Sequence, residues 1–208
     1  MTDPLTGYRR PSSLRYYREG PPEVDLAQWR LKVGGLGVDE VVFDYEMISR
    51  LPHVVQDRRM VCVCNWSVRH QWRGVLLASL LDEIGWDKTR SGQFLVQTSI
   101  GTPVRGTYSS TLRIGAALER DALIVDTIDS APLRLDRGFP VRLMDFALYG
   151  YKGVKGLASL EVTDLFELGF WEKHYGYEKE GVIRPKRYRA CDLGHMILAE
   201  QSGEITEE

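Results

Sequence analysis

The stretch from Arg59 to Leu81, RMVCVCNWSVRHQWRGVLLASLL, constrains the fold of this chain more than any other. It begins with an alternating apolar run that predicts a strand over Met60–Cys64, and this run carries two of the three cysteines. Residues two apart in a regular strand share a face, so Cys62 and Cys64 lie together unless the strand bends. A Trp-Ser pair follows, and apolar residues at helical spacing predict a helix over Val75–Ile84. We expect any reactive atom of this protein at the corner between strand and helix.

The rest of the chain mixes short strands with short helices. Apolar runs bounded by Gly, Pro and Asp predict the strands, and helical spacing, with Asp44 as an N-cap, predicts the helices. The predicted strands are Trp29–Val33, Phe94–Thr98, Ala122–Ile128 and Leu157–Leu165, and the predicted helices run from Asp44 to Leu51 and over Leu112–Glu119. The pattern indicates one α+β domain over residues 1–208 with several mixed β-sheets, in which we expect residues 1–14 and 201–208 to be frayed.

Composition excludes several classes of function. A net charge of −2 argues against a general nucleic-acid binder. No apolar run approaches the roughly 18 residues of a membrane span. The sequence shows no export signal, so we expect a cytoplasmic protein without a membrane span. Three cysteines, an odd number, argue against a disulfide scaffold.

The two neighbouring thiols have three local interpretations. Thiolate is a ligand for soft metals, but one Cys-x-Cys cannot complete a zinc site, and none of the four histidines lies at zinc spacing from it. A buried cysteine is otherwise a small hydrophobic residue. The third interpretation is a redox pair of Cys62 and Cys64, although the ring that such a disulfide closes is strained.

A second group of residues is basic and rich in glycine. Arg142 follows a Gly-x-Pro-x turn, and Lys152 and Lys155 flank Gly153 in the run GYKGVK. Glycine lets backbone N–H groups approach an anion closely, and lysine neutralises the charge of the anion. The group is therefore either a loop that binds an anion such as phosphate or a solvated basic loop.

Taken together, these two regions resemble the sulfite oxidase fold family of molybdopterin-dependent oxidoreductases. The motif C-x-x-x-W-S from Cys62, followed by W-x-G-x-x-L from Trp72, is similar to the molybdenum–cysteine corner of that family. The run GFPVRL at 138–143, followed by YGYKGVK at 149–155, is similar to its pterin-binding segment. The resemblance covers residues 15–178 and is nearest to the branch of the protein-methionine-sulfoxide reductase catalytic subunits.

The resemblance implies a sulfite-oxidase-type molybdopterin-binding fold and a role for each matching residue. Cys62 would ligate the molybdenum, with Cys64 beside it. Asp126 would stand on the substrate side, where sulfite oxidases have a tyrosine. The cofactor-binding residues that it implies are Arg15, Tyr17, Arg18, Thr98, Arg137, Arg142, Lys152, Gly153, Val154 and Lys155.

The implied enzyme is a Mo-molybdopterin-dependent oxidoreductase that moves two electrons or an oxygen atom to or from a small-molecule substrate. An anionic Asp126 at the substrate mouth would repel sulfite, which favours a sulfoxide-type reductase over a sulfite oxidase. The sequence carries no haem-binding domain, so we expect an external electron donor or acceptor. Two alternatives remain open: a cofactor-free member of the fold that acts as a binding module, and a thiol redox protein that uses the Cys-x-Cys pair.

Overall fold

The computed structural model describes residues 23–63, 66–87, 89 and 93–184, together with three short strands nearer the C-terminus. The strands are β1 Leu31–Gly35, β2 Val38–Phe43, β3 His53–Cys62, β4 Trp66–Leu76, β5 Phe94–Ser99, β6 Ser109–Arg113, β7 Leu123–Ile128, β8 Ala131–Pro132, β9 Arg142–Met144, β10 Leu157–Thr163, β11 Arg187–Arg189, β12 Leu198–Glu200 and β13 Thr206–Glu207. The helices are α1 Tyr45–Arg50, α2 Leu77–Glu83, α3 Ile114–Glu119 and α4 Phe170–Tyr175, with 3-10 turns at Leu135–Arg137 and Gly150–Lys152. Within these residues no helix has the length and apolar character that crossing a bilayer requires.

Two sheets carry most of these strands. The first has five strands in the order β2-β1-β10-β5-β6, with β1 and β10 parallel and the other neighbours antiparallel. In the second sheet β4 pairs with β3, β7 and the short β13, and β7 also pairs with β8 and β9. Mixed sheets with few, short helices confirm the predicted α+β class.

Cys62 lies near the tip of a hairpin rather than at a strand-to-helix corner. β3 begins at His53, earlier than the predicted start at Met60, and ends at Cys62, which pairs with Trp66 of β4. In the described structure β3 pairs with β4 alone, and Val55 on its outer face is 61% exposed. An edge strand of this kind carries polar residues on its open face, so its first half lacks the apolar pattern that sequence analysis uses.

Two predicted helices begin later than expected because a strand precedes each of them. β4 continues past Gly74, where its pairing with β7 shifts register, and α2 starts at Leu77 rather than at Val75. Similarly, Ser109–Arg113 pairs with β5 as a strand, and α3 starts at Ile114. In both cases pairing with a strand distant in sequence decides the conformation, which local periodicity cannot detect.

Apolar residues from the two sheets form two clusters on opposite faces of the second sheet. The first cluster fills the space between the sheets and includes Leu95 of β5, Leu160 of β10 and Ile124 of β7. The second cluster consists of Met60, Val68, Trp72, Leu123, Val125, Ile128, Leu133 and Met144, and Cys62, Phe139 and Phe146 are among the side chains that pack against it. The clusters alternate along β7 from Leu123 to Val125, as expected for successive residues of a strand.

Candidate active site

The two sequence blocks that follow residue 137 lie side by side. The N–H of Leu143 donates to the carbonyl of Val154 over 3.1 Å, and the N–H of Leu157 donates to the carbonyl of Val141 over 3.0 Å. Arg142 and Lys155 form an antiparallel bridge between these bonds. Backbone pairing therefore holds the arginine of the first block beside the second lysine of the other block. We call residues 138–144 and 152–157 the clasp.

Gly138 allows the two cationic side chains of the clasp to approach each other. Its φ of +109° lies in the region that side chains other than glycine rarely adopt. A Cβ atom on Gly138 would lie 3.0 Å from Cβ of Lys155 and 3.2 Å from Cβ of Arg142. The absence of a side chain at this position is therefore part of the geometry of the clasp.

The clasp places positive charge in a buried position. Arg142 is 1% exposed and Lys155 is 7% exposed. The Arg142 Nη1 donates to the carbonyl of Arg137 over 3.1 Å, and its guanidinium lies 5.9 Å from the ring centroid of Trp72. Among the described residues the Nε of Arg137 is buried and has no hydrogen-bond partner. Because a buried donor without an acceptor is costly, these three side chains fit an anionic group such as a cofactor phosphate.

Cys62 packs against the same apolar cluster as the clasp. It is half-buried at the end of β3, and it contacts the second cluster together with Phe139 of the clasp. Trp72, over which the Arg142 guanidinium lies, belongs to that cluster. The predicted metal-binding thiol and the predicted phosphate-binding arginine are thus brought to one side of the second sheet.

Four predicted site residues lie outside the described residues. They are Arg15, Tyr17, Arg18 and Cys64. Their assignments stay predictions.

Lys152 does not serve the predicted role of a cation for the cofactor. Its Nζ lies 2.7 Å from Oε1 of Glu172, and both side chains are 1% exposed. The Nζ also donates to the carbonyl of Lys179 over 2.9 Å. Burial lowers the pKa of Lys152, and the charge of Glu172 opposes that shift. The prediction was wrong in this respect, because an acidic residue of α4 binds the ammonium inside the protein.

The N–H groups of Gly153 and Val154 are also used inside the protein. The N–H of Gly153 donates to the carbonyl of Gly150 over 3.2 Å, and the N–H of Val154 donates to Oε1 of Gln97 over 2.9 Å. A Cβ on Gly153 would lie 2.6 Å from the carbonyl oxygen of Leu143. These two residues thus shape the clasp, and their N–H groups are not the anion donors that the sequence predicts.

Gln97 was missed by sequence analysis, and it contacts the clasp where Thr98 was expected. Gln97 is fully buried in β5, and its side chain bonds to the backbone on both sides of Gly153. Thr98 is the next residue of the strand, so its side chain points to the opposite face of the sheet. The signal that could have identified Gln97 is an amide residue in the middle of the apolar run FLVQTS.

Asp126 lies away from the thiol rather than at a substrate mouth. Its carboxylate contacts His53, which begins the ten-residue strand β3, whereas Cys62 ends that strand. The Asp126 Oδ2 lies 2.8 Å from Nε2 of His53, and Nη1 of Arg73 donates to both carboxylate oxygens over 3.0 and 3.1 Å. Burial, and after it the charge of Asp126, raises the pKa of Tyr45, which packs against the first cluster. The predicted substrate-side role is corrected to an internal ion-pair cluster.

Comparison with known proteins identifies what this arrangement resembles. Residues 18–171 match the protein family described as the oxidoreductase molybdopterin binding domain. The chain is 31% identical over 150 residues to the protein provisionally named protein-methionine-sulfoxide reductase subunit YedZ1 of Azospira oryzae, covering 72% of this chain and 55% of that protein. It is 29% identical over 148 residues to the protein-methionine-sulfoxide reductase catalytic subunit MsrP of Gluconobacter oxydans, covering 65% of this chain and 47% of that protein. The chain therefore spans about half the length of these two curated relatives.

A solved structure supports the fold independently. The sulfane dehydrogenase SoxCD from Paracoccus pantotrophus superimposes with a TM-score of 0.63 at 18% sequence identity, over 86% of this chain and 46% of that chain. At this identity the likeness concerns the fold alone. It agrees with the sulfite-oxidase-type architecture that the sequence predicts.

Proposed function

The chain belongs to the molybdopterin-binding oxidoreductase family, and on that basis we propose that it is a sulfoxide reductase whose substrate is a neutral sulfoxide such as that of methionine. Its cofactor is Mo-molybdopterin. The observation that carries the site assignment is that Cys62 and the buried guanidinium of Arg142 lie against the same apolar cluster. The similarity to two proteins named for protein-methionine-sulfoxide reduction supports the substrate class.

Each residue of the site has a distinct task in this proposal. Cys62 supplies one thiolate ligand to the metal, which the metal's charge keeps deprotonated. Arg142, Lys155 and the unsatisfied Nε of Arg137 neutralise and orient the anionic end of the cofactor. When bound, the cofactor supplies two-electron redox chemistry and oxygen-atom transfer.

The apolar walls beside Cys62 favour a neutral substrate. Phe139 packs against the same apolar cluster as the thiol, and an apolar surrounding disfavours entry of a charged group such as sulfite. Repulsion of sulfite by Asp126 is not part of this proposal, because that carboxylate is paired with His53 and Arg73 inside the protein. Sulfoxide reduction consumes two electrons and two protons and releases one water, so the proposal requires an external electron donor.

The test measures metal and activity on the same preparations. We expect about one molybdenum per chain by elemental analysis, as one thiolate ligand per site requires. A reduced viologen dye supplies electrons for reduction of N-acetylmethionine sulfoxide, and sulfite with ferricyanide tests the opposite reaction. Cys62→Ser should abolish sulfoxide reduction and the thiolate-to-metal absorption band.

The matched control is Cys64→Ser, which should keep both metal and absorption band. Loss of the band in Cys64→Ser with its retention in Cys62→Ser would show that the ligand is misassigned. Efficient sulfite oxidation without sulfoxide reduction would overturn the proposed substrate class.

A further inference from the structure

A fully buried amide lies in a central strand of the first sheet. Gln97 belongs to β5, which has a neighbour on each side, and it pairs with Leu160 of β10 and with Ser110 of β6. Its side chain has no exposed surface. Burying a primary amide is unfavourable unless its polar atoms find partners, so the partners indicate what the residue is for.

Both side-chain bonds that the described structure gives Gln97 go to the clasp. Its Nε2 donates to the carbonyl of Lys152 over 2.6 Å, and its Oε1 accepts from the N–H of Val154 over 2.9 Å. The amide therefore bonds to the residues on either side of Gly153, in the way that a neighbouring β-strand would. One side chain replaces a strand at this position.

The opposite side of the same segment is held by β9. The carbonyl of Val154 accepts from the N–H of Leu143, and the position where Gly153 lacks a Cβ faces the carbonyl of Leu143 at 2.6 Å. Gln97 thus binds the segment 152–154 from the first sheet through its side chain. Strand β9 binds the same segment from the second sheet through its backbone. The next residue along the chain is Lys155, whose bridge to Arg142 completes the clasp.

We infer that Gln97 is a positioning residue for the cofactor, which fixes the backbone at 152–154 so that Lys155 stays beside Arg142. This inference rests on the proposed role of the clasp. Gln97 acts through the backbone, because its two side-chain bonds go to the carbonyl of Lys152 and the N–H of Val154. Loss of the Gln97 amide should therefore have a large effect on the rate of cofactor release. Its effect on the stability of the fold should be smaller.

The experiment measures two quantities on the purified holoenzyme. The first is the rate at which bound molybdenum is lost during incubation, followed by elemental analysis after desalting. The second is the unfolding midpoint in urea. Gln97→Met, which keeps the volume and removes both bonds, should release molybdenum about tenfold faster than the unmodified protein, as expected for two lost hydrogen bonds.

Thr111→Val is the matched control. Thr111 is 1% exposed in β6 of the same sheet, and its Oγ1 donates to the carbonyl of Glu167 over 2.7 Å, outside the clasp. This variant should lose stability while releasing molybdenum at the unmodified rate. Equal release rates for Gln97→Met and Thr111→Val would overturn the inference.

Gln97→Glu adds a readout that a purely structural role would not move. A protonated glutamic acid can donate to the carbonyl of Lys152, whereas its carboxylate cannot. Release from this variant should therefore be slower in mild acid than at alkaline pH, relative to the unmodified protein at the same pH. A pH-independent ratio would overturn the assigned bond.

Lys155→Gln separates this inference from the proposed site. Fast release from Lys155→Gln together with slow release from Gln97→Met would leave the clasp intact and reject the role of Gln97. Slow release from Lys155→Gln would reject the clasp as the cofactor site, whatever Gln97→Met shows.

Discussion

Lys152 and Glu172 form an ion pair inside the protein, with Nζ and Oε1 2.7 Å apart and each side chain 1% exposed. The pair joins the first residue of the clasp segment 152–157 to α4. The rings of Tyr151 and Phe166 lie 5.9 and 5.2 Å from the ammonium, so the charge is enclosed by aromatic surface. Lys152 therefore fixes the clasp to the rest of the fold, and Lys155 is left as the lysine beside Arg142.

The first prediction concerns the stability of this pair. Lys152→Met or Glu172→Leu alone should lower the free energy of unfolding by about 3–5 kcal/mol, because each leaves an uncompensated buried charge. The double variant should recover most of that loss, since both charges are gone. Urea unfolding of the four proteins gives the coupling free energy.

The control is the exposed pair of Arg113 and Glu180, whose side chains are 45% and 38% exposed. Glu180→Gln should cost about 0.5 kcal/mol or less. A double variant of the buried pair as unstable as the sum of the single variants would contradict the first prediction.

The second prediction concerns acid stability and Asp145. Burial raises the pKa of Asp145 above 3.8, and the charge of Arg120 opposes the shift. Between 3.8 and the raised pKa the folded protein binds more protons than the unfolded chain. The contribution of Asp145 to the free energy of unfolding is therefore fully present below that window and is lost as the pH rises through it. The difference in stability between the unmodified protein and Asp145→Asn, measured in urea across this pH range, should fall with rising pH.

Glu180 provides a control of opposite sign. Its hydrogen bond with Arg113 lowers the pKa of Glu180 below 4.5, so its contribution is present above that value and is lost as the pH falls. The same measurement with Glu180→Gln should give a difference that rises with pH. Slopes of equal sign for the two variants would contradict the assignment.

The third prediction tests the geometry at Gly138. Gly138→Ala adds a Cβ 3.0 Å from Cβ of Lys155 and 3.2 Å from Cβ of Arg142, so the clasp must shift. Molybdenum should leave this variant about tenfold faster, the factor for a loss of about 1.4 kcal/mol. Elemental analysis after timed desalting measures the rate.

Gly85→Ala is the matched control, because Gly85 has a φ of +72° and its absent Cβ meets nothing within 4 Å. It should cost about 1 kcal/mol of stability from backbone strain and leave molybdenum retention unchanged. Equal release from the two alanine variants would show that strain alone, and not displacement of the clasp, causes the effect.

The fourth prediction concerns the register shift between β4 and β7. A Cβ on Gly74 would lie 2.2 Å from the carbonyl oxygen of Ile124, which is backbone and cannot rotate away. Gly74→Ala should therefore lower the free energy of unfolding by about 3 kcal/mol or prevent folding. Thermal unfolding monitored by circular dichroism measures the change.

Gly115→Ala should have the opposite effect, because Gly115 lies in α3 and its absent Cβ meets nothing within 4 Å. Alanine favours the helix over glycine, so a gain of about 0.5–1 kcal/mol is expected. Tolerance of alanine at position 74 would contradict the close approach of the two strands.

Much of the fold could be predicted from local patterns. Period-two apolar runs identified β5, β7 and β10 to within two residues, and Asp44 caps α1, with Oδ1 accepting from the N–H of Met47 over 2.8 Å. These features depend on residues close in sequence. The polar first half of β3 and the strand β6 were missed because strand pairing, rather than local pattern, stabilises them.

The cofactor and the enzyme class also followed from sequence, because they depend on the identity and order of short motifs around Cys62 and Arg142. Which side chains serve the site was decided only by the tertiary structure. The local sequence does not distinguish Lys152 from Lys155 as a cofactor-binding cation. The structure distinguishes them because Glu172, twenty residues after Lys152, pairs with Lys152. Asp126 is likewise occupied by a histidine and an arginine 73 and 53 residues away. Local sequence fixes backbone conformation and motif, whereas the free energy of a buried charge depends on partners that only folding brings within hydrogen-bond distance.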